Sequence, residues 1–384
     1  MDFSLTFDQQ MMVEATKKMV ETKILPVLKS SPKNQSLTKE AALKIFAAAA
    51  ELGFTSARIP ADGGGAGLSM LDYGLMTEQM PPSVGLMLQP HEATTTRIYM
   101  GGTDEQREKY MDDLIAGRKI AATGSSEPDV GSNPREVKTT VKQAGDKLVV
   151  NGTKLWISNA TTFDVINVTG KMERADGSSS MVRVLVDREG SNVATRDIEM
   201  LGLHQSPHGE VVFSDCRIPL ANLSPDNGET AKLLTVTWLG NRPLVGLMAV
   251  NLAQKALDIA IEYSKVRKQF GRPIGSYQLI QQDLSEVHTL VLTSRLLCYN
   301  ALASIDRGER ANGLSAMAKR YAVDACDRAI ALAMRVNGAM GLSAELGLEE
   351  LARDVRMISI PDGTPGILTL IHGRELTGFD AFKG

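Results

Sequence analysis

The segment RPLVGLMAVNLAQKALDIAIEYSKVRKQF, residues 242–270, is where the chain returns to a helical period after a long stretch of a different kind. Two further helical runs follow it, QLIQQDLSEVHTLVLTSRLLCYNALASIDRG (278–308) and LSAMAKRYAVDACDRAIALAMRVNGAMG (314–341). Their lengths suit a four-helix-type bundle, whose long antiparallel members meet through apolar faces. Upstream, residues 119–226 carry short β-branched runs, among them TTVKQAGDKLVVNGTKLWISNA (139–160), FDVINVTGK (163–171), SMVRVLVDRE (180–189) and GEVVFSDCRIP (209–219). Gly, Asp and Asn divide them, the pattern of strands joined by tight turns. Further upstream, residues 7–118 read as helices. Met11, Met12, Ala15, Met19 and Val20 form one expected apolar stripe, and TKEAALKIFAAAAELGF (38–54) a second helix with Thr38 as N-cap and Gly53 as stop. The order is α, β, α, and no short-period repeat interrupts it.

A chain of 384 residues exceeds the size at which single cores stop growing, so two or three domains are expected. With 42 basic and 45 acidic residues the charge is nearly balanced, which gives no electrostatic reason to expect nucleic acid or an anionic membrane as partner. Cys216, Cys298 and Cys326 are far apart and form no CxxC pair, so packed thiols are expected, with neither a disulfide framework nor a metal site. No secretory or transit pattern opens the sequence and no stretch reads as a bilayer span. A soluble cytoplasmic protein acting on small molecules or on copies of itself is the expectation.

Four strings carry candidate chemistry. In GSSEPDVGSN (124–133) a Glu-Pro turn followed by Gly-Ser exposes amides and hydroxyls; alone, it reads as a strand-connecting loop. NGTKLWISNA (151–160) puts Trp156 on a strand, more often core than ligand wall, with a hydroxyl two residues on. VRKQFGRPIGSYQLIQ (266–281) offers a guanidinium that matches phosphate oxygens and a glycine that lets a diphosphate approach. Its basic residues would equally suit a helix ending at Phe270-Gly271 and compensating the macrodipole. Finally PDGT (361–364) breaks a helical region with turn-forming residues around one carboxylate, Asp362.

In this order and spacing the four strings resemble the acyl-CoA dehydrogenase superfamily, and the resemblance runs along essentially the whole chain. It implies an α+β fold with an N-terminal helical domain (1–118), a middle β-barrel or sandwich domain (119–226) and a C-terminal four-helix bundle domain (227–384). It also implies FAD as cofactor. Ser125, Ser126 and Ser132 would lie at the flavin, Ser126 in place of a usual Thr, with Ser132 also near substrate and Asn133 replacing an Asp. Trp156 and Ser158 would lie against the flavin ring and near its N5. Arg267, Phe270 and Gln278 would reach the pyrophosphate and adenosine half of FAD in a neighbouring subunit, making the protein a homotetramer built as a dimer of dimers. In RVNGAMG (335–341), Arg335 stands for a family Gln and Ala339 for a Gly, leaving Arg335 and Gly338 as pyrophosphate candidates, with a salt bridge the other reading of Arg335. Arg242 matches an Arg that contacts CoA, but its usual acidic neighbour is Leu239. An electron-transferring flavoprotein is the usual partner in relatives.

The resemblance makes Asp362 the base that removes the α-proton of an acyl thioester, with Gly363 beside the substrate and Thr364 beside FAD. Most relatives carry Glu there; an aspartate retreats by about 1.5 Å, one carbon–carbon bond. The oxyanion would be held by a flavin hydroxyl and the backbone N–H of the base residue. RELTGFDAF (374–382) resembles the glutaryl-CoA branch, but the arginine that branch uses for its distal carboxylate is absent around 83–86. A few relatives with an Asp base act on cyclic acyl-CoAs or nitroalkanes. The expected substrate is therefore a cyclic, branched or otherwise unusual short acyl-CoA, with a nitroalkane-type oxidase as the alternative and a non-catalytic flavin-binding paralogue as a third. Glu92 is a candidate second acid or else an exposed helix-start glutamate. His204 is a candidate pocket wall, and 177–180 a candidate contact to the CoA phosphate.

Overall fold

The computed structural model describes residues 4–173, 178–225 and 230–381, with side chains from 237 onward in the last stretch. Gly177, the first residue of the proposed CoA-phosphate turn, lies outside them. Thr6 opens the first helix with a capping box: its Oγ1 accepts from Gln9 N at 3.2 Å while Thr6 N donates to Gln9 Oε1 at 3.1 Å. That helix, α1 (Phe7–Met19), passes through one π turn (Val20–Ile24) into α2 (Leu25–Ser30). Its buried face is Val13, Thr16 and Met19, which corrects the expected stripe, since Met11 and Ala15 are exposed. Thr16 can face inward because its hydroxyl donates to Met12 O at 2.8 Å. Thr38 caps α3 (Lys39–Ala50) as expected, accepting from Ala41 N at 3.2 Å, and Gly53 takes φ +79° beyond its end. Next come α4 (Met70–Thr77), α5 (Pro82–Gly101) and α6 (Asp104–Ile115).

The middle strands are β1 (Ala121–Gly124), β2 (Thr140–Ala144), β3 (Lys147–Ser158), β4 (Val165–Glu173), β5 (Ser179–Asp187), β6 (Val193–Asp197) and β7 (His208–Pro219). They form one sheet in the order β1-β4-β2-β3-β7-β6, with β5 paired to β4. Leu148, Val150, Ile166, Val168, Val184 and Phe213 point inward from these strands and close a core of their own.

The C-terminal part opens with α7 (Thr230–Val266). A small hairpin of β8 (Lys268–Gln269) and β9 (Arg272–Pro273) joins it to α8 (Gln278–Asp306), followed by α9 (Asn312–Asn337), α10 (Leu348–Ile358) and α11 (Pro365–Thr377). Phe270 and Gly271 are thus the two-residue turn of a hairpin, with φ +48° and +84°, which corrects the reading of a helix running to that point. Positive φ at both positions matches the turn twist that such a hairpin requires. Gly246 sits where helices approach closely: a Cβ there would lie 2.6 Å from Cys298 Sγ. Contrary to the sequence expectation, Thr237–Val266 is long and apolar enough to cross a bilayer, but 72% of that apolar window is buried inside the fold.

Buried polar groups join the layers. His91 on α5 accepts from Ala121 N through Nδ1 and meets Leu114 O through Nε2, both at 3.0 Å, so Nε2 carries the proton. Burial pushes this imidazole down to about 4, and it stays neutral. Asn159, in the left-handed region at φ +64°, donates to Met87 O and Ala121 O. On the other side Asp354 Oδ1 accepts from Leu203 N at 2.6 Å, and His204 meets Arg353 at 3.0 Å. His204 therefore ties the sheet domain to α10, which replaces its expected role as pocket wall. Burial pushes Asp354 up to about 6, against the Leu203 N–H that pulls it down. A folded-state value above the unfolded one means the folded protein binds the extra proton, so this contribution is present at low pH and lost as pH rises through about 6. Asp354→Asn keeps an acceptor for Leu203 N and removes the ionisation. It is expected to raise the thermal midpoint by roughly 2–5 °C at pH 8 and much less at pH 4.5, as measured by calorimetry at both pH values.

Candidate active site

Asp362 lies in the turn between α10 and α11 at φ +54°, a backbone region that Asp tolerates better than most residues. Gly363 follows at φ +115°, where an added Cβ would approach Leu368 Cδ2 to 3.0 Å. Thr364 is the N-cap of α11, its Oγ1 accepting from Ile367 N at 3.4 Å. The break in helix is therefore a capped turn, and the carboxylate points inward. Gln89 Nε2 donates to Asp362 Oδ2 at 3.0 Å and also to Asn241 O at 3.1 Å. Oδ1 has no hydrogen bond among the described residues.

Lys319, fully buried on α9, holds this turn. Its ammonium donates to Ser359 O at 3.2 Å, to Gly363 O at 2.7 Å and to Pro361 O. In a trans peptide the carbonyl and the next N–H point in opposite directions. Turning Pro361 O toward Lys319 therefore turns Asp362 N–H away from it, and that N–H has no acceptor among the described residues. Arg242 Nε donates to Asp362 O at 3.2 Å and its NH1 to Asn312 Oδ1 at 2.8 Å. Arg242 is thus a buried neighbour of Asp362 in the interior of α7, a correction to its placement at CoA.

Burial raises the Asp362 carboxyl above the usual range, while Lys319, Arg242, Arg97 and Arg58 oppose that rise. Burial pushes Lys319 in the other direction, down to about 7, with Asp362 restoring part of the shift and Arg242 adding to it. The Glu92 expectation is corrected on both counts. It is fully buried in mid-helix on α5, and its carboxylate accepts from Arg58 N, Nε and NH2 and from Thr96 Oγ1. Both oxygens are taken by an ion pair, so Glu92 serves as the counter-ion of Arg58 and is not set up to exchange protons with a substrate.

The flavin candidates fall into two groups. In the first, Leu155 N donates to Ser126 O at 3.0 Å, bringing the loop after β1 beside the end of β3. Glu127 fixes that loop, accepting from Lys138 N, Thr139 N and Oγ1, and buried Lys154 at 2.6–2.9 Å. A bulge between Lys154 and Ile157 turns Trp156 to φ +62° and leaves it 54% exposed. Ser158 Oγ lies 3.2 Å from His208 Nε2, and His208 Nδ1 lies 3.1 Å from Ser206 O. Since the carbonyl can only accept, Nδ1 carries the proton and Ser158 donates to Nε2. Ser125 Oγ is buried without a hydrogen-bond partner, and Ser132 is exposed.

The second group is at the far end of the bundle. Arg267, Phe270 and Gln278 are exposed around the β8–β9 hairpin, Phe270 at 95%. Gly338 ends α9 at φ +58°, and Arg335 forms an ion pair with Asp283 of α8, so its guanidinium is engaged by a carboxylate. Among the described residues no hydrogen bond or ion pair joins the two groups. The first group nevertheless fits a flavin: an orphaned buried hydroxyl, on Ser125, and an outward-turned aromatic ring, on Trp156, stand on neighbouring segments tied by the Leu155–Ser126 hydrogen bond. Gln89, Arg58, Arg97 and Lys319 are not singled out by the sequence reading. The available signal is a charged or amide residue at a core-facing helical position, as with Lys319 between buried Ala316 and Ala322.

Comparison with known proteins agrees with this arrangement along the whole chain. The descriptions "Acyl-CoA dehydrogenase, N-terminal domain", "middle domain" and "C-terminal domain" match residues 6–118, 122–216 and 233–377. The probable acyl-CoA dehydrogenase YngJ of Bacillus subtilis is 31% identical over 98% of this chain and 100% of its own. Glutaryl-CoA dehydrogenase of Desulfococcus multivorans is 32% identical over 98% of each. The structure of butyryl-CoA dehydrogenase from Megasphaera elsdenii superposes with a TM-score of 0.90 at 27% identity, covering 98% of this chain and 100% of that one. The chain belongs to the acyl-CoA dehydrogenase family and is a flavoprotein oxidoreductase acting on acyl-CoA with FAD as cofactor.

Proposed function

We propose that this enzyme carries out α,β-dehydrogenation of a short, cyclic, branched or otherwise unusual acyl-CoA, with Asp362 as the base that takes the proton from Cα. The observation that carries the reading is the inward-facing, half-buried carboxylate of Asp362, oriented through Oδ2 by Gln89 and without a hydrogen bond to Oδ1 among the described residues. When bound, FAD supplies the acceptor for the hydride leaving Cβ. Oδ1 of Asp362 takes the α-proton, and the resulting neutral acid suits a buried site better than the carboxylate did. The cations Lys319, Arg242, Arg97 and Arg58 act in the opposite sense and favour the carboxylate form that the step requires. Asp362 N–H, turned away from Lys319, is the protein's donor to the thioester oxygen as negative charge develops there.

The size of the acyl group is argued from a cavity of about 10 Å³ lined by Gln89, Tyr73, Gly85, Leu88, Leu244 and Met248. That is room for about one water, so any acyl group has to displace the lining side chains, and a long straight chain would require the largest parting of the helices. A second cavity of about 510 Å³ is lined by Lys138, Lys142, Lys171 and Ser179 together with Glu136 and Glu173; its three lysines against two carboxylates are what supports a place there for the phosphate-bearing end of CoA. The homotetramer, a dimer of dimers, is argued from Val266, Phe270 and Leu279, exposed at 72%, 95% and 75% on one end of the bundle. Large apolar side chains clustered in this way mark an interaction surface. Arg267, Phe270 and Gln278 would then complete a neighbouring subunit's FAD site.

Two experiments test the reading. Asp362→Asn should retain bound FAD and lower the rate of anaerobic flavin bleaching by short acyl-CoAs by roughly 10²–10⁴-fold, with partial recovery in Asp362→Glu. Bleaching by nitroethane and by no thioester would overturn the proposal in favour of the oxidase. Lys319→Met removes the cation that does most to hold the Asp362 carboxyl down. The acid limb of kcat/KM should move to higher pH, because a base whose pKa rises needs a higher pH to be ionised. Loosening of the turn should lower the rate at pH 7 by about a hundredfold; an unchanged pH profile would reduce Lys319 to a structural role.

A further inference from the structure

We infer that Gln89 is the positioning residue of the base: its side-chain amide fixes the plane of the Asp362 carboxylate and assigns the incoming proton to Oδ1. This rests on the reading of Asp362 as the base and names a second residue on which that step depends. The other groups that hold the turn act on its backbone. Lys319 donates to the carbonyls of Ser359, Pro361 and Gly363, and Arg242 to that of Asp362 itself. With the backbone fixed, an Asp side chain still turns about χ1 and χ2, and χ2 of a carboxylate is a broad, twofold torsion. Gln89 Nε2, 3.0 Å from Oδ2, is the one hydrogen-bond partner of the carboxylate among the described residues.

The amide is itself held. Gln89 is 5% exposed on α5, and its Nε2 donates to Asn241 O on α7 at 3.1 Å as well as to Asp362. A backbone carbonyl can only accept, so the NH2 end of the amide, and not its oxygen, occupies this place. Both of its N–H groups are thereby committed. Asn241 is anchored in turn, its Oδ1 accepting from Arg58 NH2 at 3.2 Å, and Arg58 is paired with Glu92. One turn before Gln89, Gly85 lets α5 approach α7: an added Cβ there would lie 2.8 Å from Met248 Cε.

Oδ2 accepts from Gln89 before the proton arrives, and it goes on accepting afterwards, as the carbonyl oxygen of the acid, only if the proton goes to Oδ1. A proton on Oδ2 would weaken that bond in a buried place, where a poorly satisfied amide is costly. The cations do a different job. Lys319 on α9, Arg242 on α7, Arg97 on α5 and Arg58 ahead of α4 favour the ionised form, but none of them donates to the carboxylate, so none sets its direction. Gln89 also lines the cavity of about 10 Å³ with Tyr73, Leu88, Leu244 and Met248, so orientation of the base and fit of the acyl group meet at one side chain.

The test uses the FAD-loaded wild type, Gln89→Met, Gln89→Glu, Asp362→Asn and the double variant Gln89→Met/Asp362→Asn with butyryl-, isobutyryl- and cyclohexanecarbonyl-CoA. Three quantities are read: anaerobic flavin bleaching across pH, affinity for the unreactive CoA thioethers of the same tails, and deuterium uptake at Cα from D2O by the dithionite-reduced enzyme, which follows the proton step without hydride transfer. Gln89→Met should bind the thioethers within about threefold of wild type while losing roughly 10–100-fold in kcat and in deuterium uptake. Its acid limb should move to higher pH, because a donor to the charged form has gone. Gln89→Glu, the closer in shape, should lose at least as much at about pH 8, where two carboxylates face each other; it decides the question if Gln89→Met fails to retain FAD. In the Asp362→Asn background Gln89→Met should cost less than about threefold, since the two residues act as a unit. Wild-type uptake in both Gln89 variants, a loss confined to thioether affinity, or losses that add in the double variant would overturn the inference. Wild-type uptake in Asp362→Asn would instead remove the base, and the inference with it.

Discussion

A single buried ammonium organises the chemistry of this chain. Lys319 draws in the carbonyls of Ser359, Pro361 and Gly363, and the turn between α10 and α11 has little other choice of path. The contact turns one peptide so that Asp362 N–H faces away, and it fixes the left-handed backbone at Asp362. The desolvation cost of the lysine is offset in part by three carbonyl dipoles and a nearby carboxylate. Apolar packing could hold such a turn in place, but it could not specify which way each peptide faces.

The sheet domain uses the same device with the sign reversed. Glu127 is the buried charge that gathers Lys138 N, Thr139 and Lys154, and the loop it terminates carries Ser125 and Ser126 beside Trp156. In both places a residue adjacent to the functional ones, and not a functional one itself, makes the geometry. Such positions are sensitive because a partly satisfied buried charge is worse than none. A third element, α5, carries the polar interior from Gln89 to Arg97. Its run of buried Gln, His, Glu, Thr and Arg joins the neighbour of the base, Gln89, to the sheet through His91 and Thr94 along one helix.

Much of this is legible in the residues. The three zones, the capping role of Thr38 and the special turn at Asp362 follow from local periodicity and turn chemistry, which act over a few residues. The misreadings share one cause. Periodicity misplaces the apolar stripe of α1 because a threonine that satisfies its own hydroxyl can face inward. Glu92 passes for a free acid because its partner, Arg58, is 34 positions away in sequence. Arg242 invites assignment to CoA because nothing nearby in sequence indicates that Asp362 is its neighbour. Phe270-Gly271 looks like a helix end because two-residue strands are too short to show alternation.

The sequence by itself determined the order of helical and β zones, the family and the identity of the carboxylate in the last turn, since these depend on residue type and spacing along the chain. Only the tertiary structure decided which charges face one another. Electrostatic partnership depends on distance through space and on exclusion of water, and folding brings together Gln89, Arg242, Lys319 and Asp362 from four separate segments. The same closure buries Arg97 against the hydroxyls of Thr237 and Thr123, partners that no local reading of ATTTRIYMGG contains.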